Sequence, residues 1–284
     1  MEIIRVNGKT TTPEFNAQLN NLVNEVFGFS FARFQALNVW DEQYEYFSVI
    51  DDGQMVANCG VYHMEMLING NKQHFLQFGA VAVRPSHQGK GLGRYVMEQA
   101  LGSYPGVPAF LYSNQQAVGF YERLGFKRQS EKQPFITVES APRKEGLERL
   151  EIIYPELDEY FDERNSFSPT VDCLNQYAIN WFHLVYEHLN NLYHVPDLGA
   201  MVVMVESEGK IVLHDVVAPP NCKFSDLLPY IQNERLQRVE FGFCPDHLGV
   251  TYQTQVVVDP STNLMVRGWS GDDLACYIPH LIRT

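Results

Sequence analysis

Three glycines at alternate positions, Gln88-Gly89-Lys90-Gly91-Leu92-Gly93-Arg94, follow Arg84-Pro85. They open a segment whose apolar positions Leu92, Val96 and Ala100 have helical spacing. Glycine carries no Cβ, so a ligand can approach the main chain closely there. The first turn of a helix offers unpaired N–H groups and the positive end of its dipole, which together suit a pyrophosphate. Lys90 and Arg94 add side-chain charge. The P-loop order, ending in Gly-Lys-Ser/Thr, is absent, and the dinucleotide fingerprint requires glycine where Arg94 stands.

Other reactive residue types form weaker patterns. His183 and His188 are five apart, about 140° around a helix, a poor shared face for a metal, and Glu187 completes neither zinc-helix motif, so no metal is expected. The acidic run Asp158-Glu159 to Asp162-Glu163 reads as a solvated face. Asp272-Asp273, after Gly271, suit either a turn or the wall of a cationic pocket. Cys59, Cys173, Cys222, Cys244 and Cys276 are widely spaced with no C-x-x-C pair, and read as reduced core thiols.

The elements that hold the glycine loop follow from hydrophobic periodicity. Phe15, Leu19, Leu22, Val23 and Val26 predict an amphipathic helix after Thr12-Pro13. Strands are expected at 46–50, 55–66 and 74–83, joined by turns at Asp52-Gly53 and Asn69-Gly70. The loop and its helix come next, then a strand at 108–113, a helix at 115–124 ended by Gly125, and a strand through Ile136-Thr137-Val138. A polar stretch at 140–146 marks a linker, dividing the chain into domains at 1–140 and 147–284. The second part reads as helices to about Leu192, a hairpin at 200–218, a short helix at 225–231, and strands at 238–243, 251–258 and 264–268.

A chain of 284 residues with 45% hydrophobic and 19% charged residues builds sizeable cores unaided. Its net charge of −13 argues against nucleic acid and anionic membrane surfaces as partners. Most of the acidic excess lies beyond residue 140. The start MEIIRVNGKT lacks a signal-peptide pattern and no long apolar span occurs, so a cytoplasmic protein is expected.

The stretch Val81-Ala82-Val83-Arg84-Pro85 followed by Gln88-x-x-Gly91-x-Gly93 resembles the acetyl-CoA signature of the GCN5-related N-acetyltransferase (GNAT) superfamily. Asn114, Ala117 and Phe120-Tyr121-Glu122-Arg123-Leu124-Gly125-Phe126 resemble its second conserved block in order and distance. The resemblance covers about residues 1–140. It implies an α/β fold with a mixed sheet, whose central strand splays from its neighbour to receive the pantetheine arm. It further implies that Val81 and Val83 offer backbone groups to that arm, that Gln88, Gly89, Lys90, Gly91, Leu92, Gly93 and Arg94 cradle the pyrophosphate, that Asn114 contacts the arm, and that Tyr121 sits near the sulfur. Acetyl would pass from acetyl-CoA directly to an amine in a ternary complex.

Such a transfer needs a base to take the amine's proton and an acid to protect the departing thiolate. Tyr121, a phenol protonated at pH 7, suits the acid. Many relatives carry a carboxylate on the central strand, whereas Phe75-Leu76-Gln77-Phe78-Gly79-Ala80 carries none. Glu65 and His63 on the preceding strand are the candidates for the base. The carboxylate of Thr284 is a third, implied by a narrower similarity to aminoglycoside acetyltransferases of the enhanced-intracellular-survival type, whose terminus reaches the site and whose second region is a degenerate acetyltransferase.

In this chain the second part has Ala218-Pro219-Pro220-Asn221 where a cradle would need glycines, so it is expected to bind no coenzyme A. Its expected role is to shape the acceptor pocket, with Trp181, Tyr186, Tyr193 and Trp269 as candidate aromatic walls for a cation. The favoured acceptor is a small cationic amine. A protein lysine or N-terminus, or a non-catalytic acyl-CoA-binding module, are the alternatives.

Overall fold

The computed structural model describes residues 1–151, 157–162, 168–259, 261–269 and 277–284. Asp272, Asp273, Cys276 and Glu163 lie outside the described residues. In chain order the first elements are β1 (Glu2–Asn7), α1 (Pro13–Phe27), α2 (Ala32–Ala36), β2 (Tyr44–Asp51), β3 (Gln54–Ile68), β4 (Asn71–Val83), α3 (Leu92–Ser103), β5 (Ala109–Ser113), α4 (Val118–Glu122) and β6 (Lys127–Gln129). There follow β7 (Lys132–Thr137), β8 (Glu148–Arg149), α5 (Asp158–Asp162), β9 (Val171–Cys173), α6 (Tyr177–Tyr186), β10 (Leu192–Val195), β11 (Ala200–Ser207), β12 (Lys210–Val217), α7 (Phe224–Ile231), β13 (Arg238–Phe241), β14 (Gln253–Val256) and β15 (Asn263–Arg267).

Local chemistry explains the helix that flanks the site. Thr12 Oγ1 accepts the Phe15 amide at 3.2 Å to start α1, and Gly28 ends it at φ 77°. Phe15, Leu19, Leu22 and Val23 are buried on one face against β3 and β4.

Two mixed sheets share the strands. One runs β1-β2-β3-β4-β5-β15-β6 with β9 beside β3; the other runs β14-β7-β13-β12-β11-β10-β8. The pairs β4/β5 and β12/β13 are parallel, each joined through a helix, α3 or α7. The chain thus builds a mixed α/β fold around the first sheet and a second α/β sheet after it. The sheets do not divide at the polar linker, however. β7, from the first 140 residues, pairs with β13 and β14 in the second sheet, while β15 crosses back to lie between β5 and β6. Apolarity on both faces makes β15 a central strand: Met265 enters the core under α3, and Leu264 and Val266 enter the core between the sheets. The stretch 147–192, expected to be helical, also contributes β8 and β9 to the two sheets. Cys59, Cys173, Cys222 and Cys244 are buried, and among the described residues they form no disulfide. No helix among the described residues is long and apolar enough to cross a membrane.

Candidate active site

Strand β4 pairs with β5 only through Leu76, Gln77 and Phe78, opposite Ala109, Phe110 and Leu111. Past Phe78 it continues to Val83 along β3 alone, so the edge at Gly79–Val83 is open toward α4. The divergence coincides with a register shift opposite Asn58 and with Ala80 at φ 48°, a conformation that costs an L-residue energy and is concentrated at functional sites. Asn58 holds it, donating from Nδ2 to the Ala80 carbonyl at 3.0 Å while Oδ1 accepts Ser48 Oγ at 2.8 Å. Arg84 fixes the end of the strand through the Met55 carbonyl at 2.8 Å and an ion pair with Glu25.

The glycine loop follows at once. Gly89 and Gly91 have φ near 76° and 79°, and no atom lies within 4 Å of a Cβ built on either. The backbone is therefore open to whatever lies above it, and among the described residues no side chain caps the N-terminus of α3. Gly93 has a different role from the one its spacing suggested. A Cβ there would sit 3.3 Å from Val83 Cγ2 and 3.7 Å from the Phe120 ring, so this glycine lets α3 pack against β4 and α4. Gln88 donates to the Val83 carbonyl at 3.2 Å, pinning the loop and occupying an acceptor assigned to the pantetheine arm. Arg94 pairs with Glu98 at 2.7 Å on the exposed helix face, and Lys90 is exposed. Asn114 uses Oδ1 to accept the Ala117 amide at 2.9 Å, capping the turn into α4.

Between the open edge and α1 lies a cavity of about 300 Å³. Val81, Asn114, Ala117 and Tyr121 line one end; Phe31, Phe34, Trp40 and Phe182 line the other; Gln77, Gly79 and Thr284 lie on the wall they share. Tyr121 is 9% exposed, and its ring contacts Phe120 and Phe126. Burial pushes its phenol well above the ordinary value, so it stays protonated throughout the neutral range. Among the described residues nothing hydrogen-bonds its hydroxyl, which leaves that group for a ligand.

His63 and Glu65 do not reach this cavity. Alternation along β3 buries Tyr62 and Met64 between the sheets and sends His63 and Glu65 to the other face. There His63 lies 3.2 Å from Glu45 Oε2 and 3.1 Å from His74, against the Tyr104 ring, and Glu65 is exposed. Thr284 does reach it: its Oγ1 donates to the Phe78 carbonyl at 3.5 Å, and a Cβ on Gly79 would lie 2.8 Å from that Oγ1.

Side chains from both halves hold the segment that ends in Thr284. Gln77 Nε2 donates to the Ile282 carbonyl at 2.8 Å, Asn180 Nδ2 to the Leu281 carbonyl at 2.9 Å, and His183 Nε2 to the Arg283 carbonyl at 2.6 Å. Arg283 reaches the Ile278 carbonyl at 2.6 Å and Glu131 at 3.0 Å, and stacks on Tyr112 and Tyr277. His183 thus serves the tail. None of the four aromatic residues expected at an acceptor pocket lines this cavity: Trp181 is fully buried on the core face of α6, Tyr193 packs in the second core, Trp269 packs on Phe75, and Tyr186 donates to the Ser30 carbonyl. Phe182, the neighbour of Trp181, is the residue of α6 that faces the cavity. Sequence reasoning missed Gln77 and Phe182; a polar residue in the apolar run Phe75–Phe78 was the signal available for the first.

Residues 8–128 match the family model described as an acetyltransferase (GNAT) domain. Similar solved structures span both halves. Eis1 of Mycobacterium abscessus aligns at TM-score 0.57 and 14% identity over 93% of this chain and 73% of its own. GCN5-related N-acetyltransferases of Anabaena variabilis and Kribbella flavida both align at TM-score 0.55, with 15% and 17% identity, over 94% of this chain and 72% of theirs. At these identities the likeness is one of fold. No curated protein matches the sequence.

Proposed function

We propose that this protein is an acetyl-CoA-dependent N-acyltransferase that acts in the cytoplasm on the primary amine of a small molecule. The carrying observation is the continuity of three features: an open strand edge at Gly79–Val83, an uncapped helix behind the left-handed glycines 89 and 91, and an apolar cavity at Tyr121. In this reading the pantetheine arm adds to the edge at Val81 as a short strand, with Asn114 Nδ2 facing it. Main-chain N–H groups at Gly89–Leu92 receive the pyrophosphate, with Lys90 above them.

The residues divide the chemistry. The amine nitrogen bonds to the acyl carbon as the carbon–sulfur bond breaks. Its surplus proton goes to the carboxyl group of Thr284, the base candidate that lines the cavity. The departing sulfur takes a proton from the Tyr121 hydroxyl, and solvent restores both groups. The second domain supplies Phe182 and the grip on the tail, and binds no coenzyme A. Reduced buried thiols fit the cytoplasm.

Calorimetric titration with acetyl-CoA tests the reading and is expected to give one site per chain. Tyr121→Phe should keep that affinity and lose about 100-fold in kcat, measured by thiol release. Absence of binding overturns the reading, and full turnover by the variant removes Tyr121 from it.

A further inference from the structure

Gln77 is fully buried on β4 and lines the cavity. Its orientation is fixed, because Nε2 must be the atom that donates to the Ile282 carbonyl. That leaves Oε1 buried with no hydrogen-bond partner. An unpaired buried acceptor is a standing cost that a ligand N–H would relieve. The neighbouring wall is a ring of aromatic contacts: Phe31 and Phe34 meet Trp40 at centroid distances of 5.3 and 4.9 Å, and meet Phe182 at 6.0 and 5.7 Å. Phe27 and Phe29 line the same cavity yet remain 47% and 36% exposed, so the apolar surface extends outward to its mouth.

Resting on the acyltransferase reading, we propose that the acceptor is a primary amine on an apolar, ring-bearing body: its N–H is held by Gln77 Oε1 and its ring lies against Phe31, Phe34, Trp40 and Phe182. This replaces the cationic acceptor suggested by the acidic second half, since the described lining residues include no Asp or Glu. An apolar wall also disfavours the ammonium form, and the neutral amine is the nucleophile. Gln77 here positions the acceptor, while the aromatic wall sets specificity.

The experiment compares 2-phenylethylamine, putrescine and a lysine-containing hydrophilic peptide as acceptors for the full chain, with thiol release read against acetyl-CoA concentration. The expected kcat/KM for 2-phenylethylamine exceeds that for the other two by about 30-fold or more. Phe182→Ala and Gln77→Met should each raise its KM about 10-fold with the KM for acetyl-CoA unchanged. Asn180→Ala removes a different tie to the same tail, and should lower kcat without raising that KM. Equal KM changes in Gln77→Met and Asn180→Ala reduce Gln77 to a tail clamp and overturn its assignment. If acetyl-CoA binds but the polar amines are preferred, or no amine reacts, the acceptor class is overturned while the cofactor site stands. Failure to bind acetyl-CoA overturns both.

Discussion

The strand-helix-strand units β4-α3-β5 and β12-α7-β13 have the same topology and opposite fates. Each pairs in parallel over a short stretch, ending at Phe78 opposite Leu111 and at Leu213 opposite Phe241, and in each the first strand runs on past its partner. In the first unit the gap opens onto the cavity and a bare glycine loop. In the second the chain fills its own gap: the His280 amide donates to the Gly242 carbonyl at 2.7 Å, and its ring bonds His214 at 2.7 Å. Pro219 and Pro220 replace the loop glycines, and the N-terminus of α7 is capped as Asp226 accepts the Lys223 amide at 3.1 Å. A splayed parallel pair is therefore only a frame. Side chains that leave the edge and the helix N-terminus unfilled give the first frame the open space that the proposed cofactor requires. The segment at 277–284 serves both frames, plugging one with His280 and lining the other with Thr284.

The contrast can be broken most sharply at the loops. Gly91→Val forces a β-branched residue into a left-handed conformation and should weaken acetyl-CoA binding by about 100-fold, whereas Pro220→Gly should change neither affinity nor stoichiometry. A second calorimetric site in either protein would refute the silence of the second unit.

The plugged gap carries a pH signature. Burial depresses His188 to about 4 and His214 to about 3, and holds His280 well below its ordinary value, with neighbouring cationic groups adding to the effect. Above about pH 6.5 these histidines are neutral whether the chain is folded or not, so they do not oppose folding. As pH falls from 6.5 toward 4 the unfolded chain takes up protons that the folded chain refuses. Each group then removes about 1.4 kcal/mol of stability per pH unit. Thermal melts across pH 7 to 4 should show this loss, and His214→Phe should flatten it. An unchanged slope would mean that these rings titrate normally. The smallest expected effect is at the capped helix, where Asp226→Ala should cost about 1 kcal/mol in denaturant titration and leave acetyl-CoA affinity intact.

Much of the fold was legible because its signals are local. The period of α1, the hairpin turns at Gly53 and Gly70, the loop at 88–94 and the helix ended by Gly125 all follow from residues within one or two turns of each other. The glycine loop was readable for the same reason. Its details were not: Gly93 looks like its two neighbouring glycines in sequence, and only packing against Val83 and Phe120 separates it from them. His63 and Glu65 were plausible bases until the pleat of β3 turned both away from the cavity.

The sequence by itself determined the strand, the glycine loop and the helix after it, the presence of Tyr121 within the second block, and the lack of such glycines at 218–221. Tertiary structure decided that β7 and β15 exchange sheets, that Phe182 rather than Trp181 faces the cavity, and that Gln77, Asn180 and His183 carry Thr284 to Gly79. The physical reason is range. Caps, turns and periodicity are satisfied by near neighbours in the chain, whereas buried amides and unpaired strand edges take whichever partners the packed sheets bring within reach.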